Sequence, residues 1–333
     1  MKIDKIVGCM IGLAVGDALG VPVEFMDREA IREKYGLLDK MVGGGTWGQK
    51  AGTTSDDTAM ALAVAEGIIK KPADPVPAIG KNFEKWYLTQ PFDIGICSSC
   101  VIREARRNGF NWFKASRDFD DMSGGRSGGN GGLMRTAFVG LYYHRIGTVK
   151  EYAKNICKMT HWNKDAQNDC ALMSMIINVL VDDGTKRDIE DIVMSFPEEK
   201  EKRYNLGVIE GYPFMVEPSG SSRNSMACAL KCVLTTRTFR DAVLMAVNMG
   251  GDTDTIGAIT GAIAGALYGA DSIPKDWINA LDDNVVDRIV KVCTGCAVHR
   301  MGGVENVVDR VREWIKGDIP EGNKDSIGCR HEG

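Results

Sequence analysis

The pattern of apolar and polar positions along this chain predicts helices almost throughout. Apolar residues recur at the three- and four-residue spacing of a helix face in ten stretches: 59–71, 77–88, 96–108, 165–180, 225–235, 239–248, 256–268, 276–281, 285–298 and 304–315. No stretch shows the strict alternation of a half-buried strand. We therefore expect an all-α protein, a single compact orthogonal helical bundle over residues 1–317, followed by a flexible tail at 318–333.

Two stretches far apart in the chain carry glycine at every fourth position: Gly8, Gly12, Gly16 and Gly20, and then Gly257, Gly261, Gly265 and Gly269. Residues four apart lie on one face of a helix. Each interior glycine costs about 1 kcal/mol relative to alanine, so the rows need a compensating contact. We expect the two glycine faces to pack against each other or to share a close common neighbour.

The first twenty residues also resemble a secretory signal peptide, because Lys2 and Lys5 precede an apolar run. Asp4 interrupts the basic region, and a signal peptide has no use for a glycine row. The uninterrupted apolar run is shorter than the roughly 17 residues that a membrane-spanning helix needs. A core helix is the favoured interpretation.

Composition narrows the function classes. The chain has 333 residues, a net charge of −4 and no long run of Lys or Arg, so neither a nucleic-acid surface nor a membrane patch is expected. Ten cysteines are too few for a disulfide scaffold and are expected to be reduced, in the cytoplasm. The spacings Cys97-x-x-Cys100 and Cys293-x-x-Cys296 leave structural zinc as an alternative, although residues three apart also simply share a helix face.

Two acidic clusters stand at the starts of predicted helices. One is Gly250-Gly251-Asp252-Thr253-Asp254-Thr255, with Asp254 or Thr255 as the expected N-cap, and the other is Ser55-Asp56-Asp57-Thr58. Together they offer hydroxyls and four carboxylates, the donor set of a two-metal centre for a hard cation such as Mg²⁺. The alternative is that each cluster merely caps its helix.

Other segments carry further candidate chemistry. Pro22 ends the first helix and leaves Glu24 on the following loop, where it becomes a candidate acid or base if the glycine rows bring it near Asp252. The loop from Ser127 to Arg135 is rich in glycine and opens onto a helix, which suits phosphate binding, or it is a plain turn. Residues 27–54 are expected to form a charged helix and then a loop, and the charged segment 182–203 is expected to be a surface excursion.

These motifs, in this order, make the chain resemble the ADP-ribosylglycohydrolase family. The resemblance implies an all-helical fold, a centre of two Mg²⁺ or Mn²⁺ ions, and hydrolysis of the bond between ADP-ribose and its acceptor. The residues that match the family's metal ligands are Ser55, Asp56, Asp57, Asp252, Asp254 and Thr255. Ser55 departs from the family, which usually has threonine there, but the hydroxyl is retained.

The resemblance also assigns residues around the metals. Glu24 is expected to act as acid or base, and Asp57 as a metal-bound carboxylate near the attacking water. Asp93, in Asp-Ile-Gly, resembles a substrate-contacting aspartate of the arginine-directed branch. The expected substrate-binding residues are Asp93, Ser127, Gly129, Asn130, Gly131, Gly132, Met134, His161 and Tyr212.

The expected substrate is ADP-ribose carried by a protein or a small molecule, with arginine preferred as the acceptor, and the expected oligomeric state is a monomer. Two alternatives differ in function. One is an ADP-ribose reader or crystallin-like protein without turnover, and the other is a two-metal phosphohydrolase acting on the pyrophosphate. Because all six ligand positions keep an oxygen donor, the sequence favours a working hydrolase.

Overall fold

The computed structural model describes residues 2–196 and 216–302, together with residues 309, 311, 312 and 315. Within them the chain forms fifteen α-helices: α1 (Lys2–Gly20), α2 (Arg28–Tyr35), α3 (Asp56–Lys70), α4 (Val76–Tyr87), α5 (Ile96–Arg107), α6 (Trp112–Met122), α7 (Ala137–Tyr142), α8 (Ile146–Lys158), α9 (Lys164–Val181), α10 (Lys186–Ser195), α11 (Ser222–Thr235), α12 (Phe239–Val247), α13 (Thr253–Tyr268), α14 (Lys275–Asn279) and α15 (Asp283–Met301). The described part contains two isolated β-bridges and no strand, so the all-α prediction is confirmed.

The helix boundaries near the acidic clusters differ from the sequence prediction. Helix α3 begins at Asp56, because the Ser55 side chain caps it by accepting the backbone N–H of Asp57. Helix α13 begins at Thr253 with Asp252 at the N-cap position, so the prediction of Asp254 or Thr255 as N-cap is wrong. Both acidic clusters therefore extend into the first turn of their helices.

Three helices are missing from the sequence prediction, namely α6, α8 and α10. Helix α10 lies in the charged segment expected to be a surface excursion, and a capping box formed by Thr185 and Asp188 starts it. Its Ile189 and Val193 are buried. Of the helix predicted at 304–315, the described residues 309, 311, 312 and 315 are helical, and the tail at 318–333 lies outside the described residues.

Helices α1 and α13 pack with their glycine faces in contact, as predicted. A Cβ atom added to Gly16 would lie 2.0 Å from the Gly257 carbonyl oxygen, and one added to Gly261 would lie 1.9 Å from that of Gly12. At the far end of the contact, a Cβ atom on Gly8 would lie 2.4 Å from the Gly265 carbonyl oxygen. Real Cβ atoms do not approach carbonyl oxygens this closely, so only glycine permits this helix separation.

Helix α1 lies at the centre of the fold. With the turn that follows it, at Lys2–Val23, it is long and apolar enough to cross a membrane by length and composition alone, yet its apolar stretch is entirely buried inside this fold. One hydrophobic core cluster runs from Ile3 in α1 to Ala297 in α15 and on to Ile315. The helix therefore forms a rigid support for the elements that start near its C-terminal end.

We expect Gly261→Ala to lower the free energy of unfolding by about 3 kcal/mol, since the added methyl group must push α1 and α13 apart. Gly147→Ala is the matched control, because Gly147 lies in α8 with no atom within 4 Å of an added Cβ. That change should be neutral or stabilise the protein by up to about 1 kcal/mol. Urea denaturation measures both values, and similar effects at the two sites would contradict the packing argument.

Candidate active site and metal centre

The C-terminal end of α1 positions the starts of both α3 and α13. A Cβ atom added to Gly20 would lie 2.4 Å from the Cα atom and the backbone nitrogen of Asp254, so the α13 start rests directly on α1. The Thr253 hydroxyl also donates to the Gly20 carbonyl oxygen at 2.9 Å. The acidic residues of α13 are therefore fixed by backbone contact.

Asp17 of α1 holds the start of α3. Its buried carboxylate accepts the backbone N–H groups of Ser55 at 3.0 Å and Thr58 at 3.1 Å, and also the Thr58 hydroxyl at 2.5 Å. These are the N–H groups that a helix start leaves without an intrahelical partner. This role of Asp17 is not apparent from the sequence, because it depends on the packing of α1 against α3.

The two acidic clusters meet at Asp57. Its Oδ2 atom accepts the Ser55 hydroxyl and the Thr255 hydroxyl, both at 3.1 Å, although Thr255 is 198 residues away in the chain. Its Oδ1 atom is buried and has no hydrogen-bond partner. An unpartnered carboxylate oxygen in a dry interior is costly, so this atom is suited to a ligand that the protein binds.

Asp254, Glu24 and Asp93 form a second focus of carboxylates. One oxygen of each lies within 4.8 Å of one oxygen of the other two, which makes them a possible metal-binding group among the described residues. Asp93 also lies close enough to Asp56 for its charge to raise the Asp56 pKa, and Asp56 Oδ2 accepts the backbone N–H of Gly95 at 3.4 Å. The loop between α4 and α5 thus adds one carboxylate to those of α3 and α13.

The negative charge of this cluster is uncompensated. Within the described part of the chain, none of its carboxylates forms an ion pair with a lysine or an arginine. Burial raises the pKa of Asp56, Asp57 and Asp254, and neighbouring carboxylates raise it further. Oxygen donors, excess negative charge and the orphaned Asp57 oxygen together fit hard divalent cations.

Glu24 is held at the edge of the cluster by aromatic residues. The Trp47 indole N–H donates to Glu24 Oε2 at 2.5 Å, and the adjacent Phe25 adopts the left-handed backbone conformation with φ of 66°. The Phe25 ring lies edge-on to Trp47 at 6.4 Å, and Trp47 lies 5.9 Å from Phe92, which precedes Asp93. We call Phe25, Trp47 and Phe92 the aromatic rim.

The glycine-rich loop is tied to the acidic cluster. The Asn130 side-chain amide donates to Asp252 Oδ2 at 2.8 Å and to the Ser225 hydroxyl at 2.9 Å. The backbone N–H of Asn130 donates to the Gly220 carbonyl oxygen at 3.0 Å. The loop predicted to bind phosphate therefore lies beside a predicted metal ligand, and sequence spacing alone does not show this link.

The other predicted substrate-binding residues are placed differently. Ser127 is fully buried, and its hydroxyl donates to Asp120 at 2.6 Å while accepting the N–H groups of Trp162 and Asn163, so it anchors the loop. Met134 lies in the hydrophobic core. Gly129 and Gly131 pack against His161, and Gly132 packs against a cysteine thiol. Tyr212 lies outside the described residues.

The zinc alternative has no support in the described part of the chain. The nine cysteines described there are free, and none belongs to a group of three or more close metal-ligating side chains. Cys293 and Cys296 are buried on α15, as expected of residues sharing a helix face. The nearby His299 ring stacks on Tyr142 with centroids 4.0 Å apart.

Comparison with known proteins decides the family. The family model described as ADP-ribosylglycohydrolase matches residues 1–307. The chain belongs to this family. This ADP-ribosylglycohydrolase is therefore an enzyme that hydrolyses glycosidic bonds of ADP-ribose, and the resemblance carried by its motifs is confirmed.

Curated relatives and a solved structure agree with this assignment. The enzyme is 30% identical over 288 residues to the ADP-ribosyl-[dinitrogen reductase] glycohydrolase of Rhodospirillum rubrum, covering 86% of this chain and 93% of that one. It is 28% identical to the ADP-ribosylarginine hydrolase Tri1 of Serratia proteamaculans, covering 84% and 76% of the two chains. A solved "ADP-ribosylglycohydrolase-related protein complex" matches 90% of this chain and 98% of that chain with a TM-score of 0.73 and 27% identity.

We expect Asp17→Asn to weaken divalent-cation binding by about tenfold or more, because residues that orient metal ligands commonly affect affinity on that scale. The new amide would present N–H groups to the N–H groups of Ser55 and Thr58 and would displace the first turn of α3. Asp4→Asn is the matched control. Asp4 also lies on α1 and also accepts a backbone N–H, that of Ala270 at 2.7 Å, but it is far from the site. Mn²⁺ titration followed by electron paramagnetic resonance measures both, and equal weakening would contradict the assignment.

We also expect Mg²⁺ to stabilise the enzyme more strongly as pH rises from about 5 to about 8. Burial raises the pKa of Glu24 to about 8, and burial raises that of Asp17 and Asp93 to about 6. In the unfolded chain these carboxyl groups lose their protons near pH 4. Proton binding therefore stabilises the metal-free folded protein fully below that pH, and this stabilisation is lost as the pH rises through the raised pKa values of the folded protein.

Cations bound beside these carboxylates would lower their pKa values and compete with the protons, so the increase in Tm caused by Mg²⁺ should grow with pH. Thermal unfolding with and without Mg²⁺ measures it, and Asp254→Asn should show little increase at any pH. A parent enzyme whose Tm does not respond to Mg²⁺ or Mn²⁺ across this range would contradict the metal centre.

Proposed function

We propose that this enzyme cleaves the glycosidic bond between ADP-ribose and an arginine side chain, with two Mg²⁺ or Mn²⁺ ions at the acidic cluster. The residues that would hold the ions are Ser55, Asp56, Asp57, Asp252, Asp254 and Thr255. The observation that carries the proposal is the meeting of two helix starts at Asp57, whose second oxygen is buried and unpartnered. Names of two relatives, which specify ADP-ribosylarginine and ADP-ribosyl-dinitrogen reductase, support it.

When bound, such cations supply positive charge to reacting oxygens and lower the pKa of water. The protein contributes the positions of the proton-transferring groups. Asp57 lies at the meeting point of the two helix starts, where it would act as a metal-bound carboxylate that positions the attacking water. Glu24 is fixed through one oxygen by Trp47, so its carboxyl group is oriented for transfer to or from the departing side.

The surroundings of Glu24 favour a guanidinium acceptor. Asp93 and Glu24 bring two carboxylates to one place, and the aromatic rim adds ring faces. A planar cation is attracted both by carboxylates and by aromatic faces. Arginine can also leave as neutral guanidine, since the bonded guanidinium already carries the proton that a serine oxygen would have to receive from an acid.

The loop at Gly129 to Gly132 is the proposed site for the ADP-ribose phosphates. Asn130 couples this loop to Asp252, so phosphate binding and the metal centre share one support. In this proposal Ser127 and Met134 shape the loop from inside the fold. His161 lies under the loop, against Gly129 and Gly131.

We expect the purified enzyme to release free ADP-ribose from an ADP-ribosyl-arginine peptide, to lose this activity with a chelator, and to regain it with Mg²⁺ or Mn²⁺. Asp254→Asn should lower turnover by at least about 100-fold, because it removes an anionic ligand. Chromatographic identification of the product measures the reaction. AMP as product would identify a phosphohydrolase, and tight ADP-ribose binding without turnover would identify a reader; either result contradicts the proposal.

We expect kcat/KM for ADP-ribosyl-arginine to exceed that for ADP-ribosyl-serine. Asp93→Asn should reduce the arginine value by about tenfold, since it removes one of the two charges that attract the guanidinium, and should change the serine value much less. Asp118→Asn on α6, where Asp118 pairs with Lys114, is the control and should change neither value. A serine preference in the parent enzyme would overturn the arginine assignment.

A further inference from the structure

A buried arginine lies beneath the glycine-rich loop without a carboxylate partner in the described residues. Arg135 is fully buried, and its Nη2 atom donates to the Ile156 carbonyl oxygen at 3.2 Å and to the Thr160 hydroxyl oxygen at 2.6 Å. Its guanidinium also lies over the Phe83 ring, 4.8 Å from the centroid. Burying a charged group without a countercharge is costly, so this arrangement calls for a functional explanation.

The arginine fixes the direction of the next hydrogen bond. A guanidinium can only donate, so Thr160 Oγ1 must be the acceptor in the bond from Arg135. The hydroxyl hydrogen is then available for the second neighbour of this oxygen, His161 Nδ1, at 2.8 Å. If His161 Nδ1 carried the proton instead, Thr160 Oγ1 would face two donors and its own hydrogen would have no acceptor among the described residues. The chain of bonds therefore leaves Nδ1 as an acceptor.

The other nitrogen of the imidazole faces the loop. A Cβ atom added to Gly131 would lie 3.3 Å from His161 Nε2, and one added to Gly129 would lie 3.4 Å from it. No described residue accepts a hydrogen bond from Nε2. Burial lowers the pKa of His161 to about 3, with the Arg135 charge as the second cause, so the ring stays neutral and holds a single proton.

We propose that Arg135 and Thr160 are positioning residues that hold His161 in the Nε2–H tautomer, so that its ring donates a hydrogen bond to an acceptor oxygen of the ligand at the Gly129–Gly131 loop. The opposite tautomer would present a lone pair to that oxygen and would repel it. The identity of the ligand as ADP-ribose rests on the proposed function. The directionality of the Arg135–Thr160–His161 chain rests on the free protein alone.

The test compares Thr160→Val, which keeps the shape but removes the hydroxyl, with Thr160→Ser, which keeps the hydroxyl. With ¹⁵N-labelled histidine, the parent and Thr160→Ser should show a protonated Nε2 and an unprotonated Nδ1 for His161. The chain has only four histidines, and His161→Gln identifies the signal. In Thr160→Val the signal should move towards a mixture of tautomers.

The contribution of this hydrogen-bond chain to ligand affinity is measured by calorimetric titration with free ADP-ribose. Thr160→Val should raise the Kd about fivefold or more, the scale of one hydrogen bond of about 1 kcal/mol, while Thr160→Ser stays within about twofold. Arg135→Gln provides a second test if Thr160→Val folds poorly. A glutamine amide can accept as well as donate a hydrogen bond, so it no longer forces Thr160 Oγ1 to be the acceptor. Thermal unfolding shows whether each variant is folded.

A parent spectrum with the proton on Nδ1, or a Thr160→Val variant with unchanged spectrum and unchanged Kd, would overturn the inference. A parent that binds no ADP-ribose would refute the proposed function and with it the ligand part of this inference. In that case the spectra still decide the tautomer, because they require no ligand. Failure of the two proposals is therefore distinguishable.

Discussion

The structure depends on the direct backbone contact between α1 and α13. Glycine at every fourth position lets the carbonyl oxygens of one helix occupy the space where side chains of the other would lie. The same helix then supports the acidic cluster, through Gly20 beneath Asp254 and through Asp17 at the start of α3. Because both supports belong to one buried helix, the spacing between the two sets of carboxylates is set by a close-packed part of the fold.

This rigidity has a physical purpose in a site that carries uncompensated negative charge. Carboxylates that repel one another would separate if their helices could move, and burial makes that repulsion stronger. Burial of the large apolar core around α1 offsets the loss of folding free energy caused by such a site. Divalent cations would then relieve a strain already present in the folded protein, which explains why their binding and the protein's stability are expected to be linked.

Sequence alone could predict the features that depend on local spacing. Glycine at intervals of four predicted the α1–α13 contact, and hydroxyls beside carboxylates predicted the acidic cluster. The features it missed depend on long-range geometry: Asp17 at the start of α3, Asn130 against Asp252, and Trp47 against Glu24. Each joins residues whose proximity is created by helix packing. Ser127 illustrates the same limit, since its motif is compatible with substrate contact but its hydroxyl is already saturated inside the protein.

The two neighbourhoods of the acidic cluster have opposite chemical characters. Around Glu24 there are carboxylates and the aromatic rim, which attract a cation. Around the glycine-rich loop there are amide donors and a buried arginine. This Arg135 does not contact the loop directly but is linked to it by hydrogen bonds through Thr160 and the neutral imidazole of His161. A bare arginine at that position would bind any anion strongly. A neutral donor fixed in direction discriminates by geometry instead, which suits the proposed role of the loop in binding a diphosphate and releasing it after each reaction.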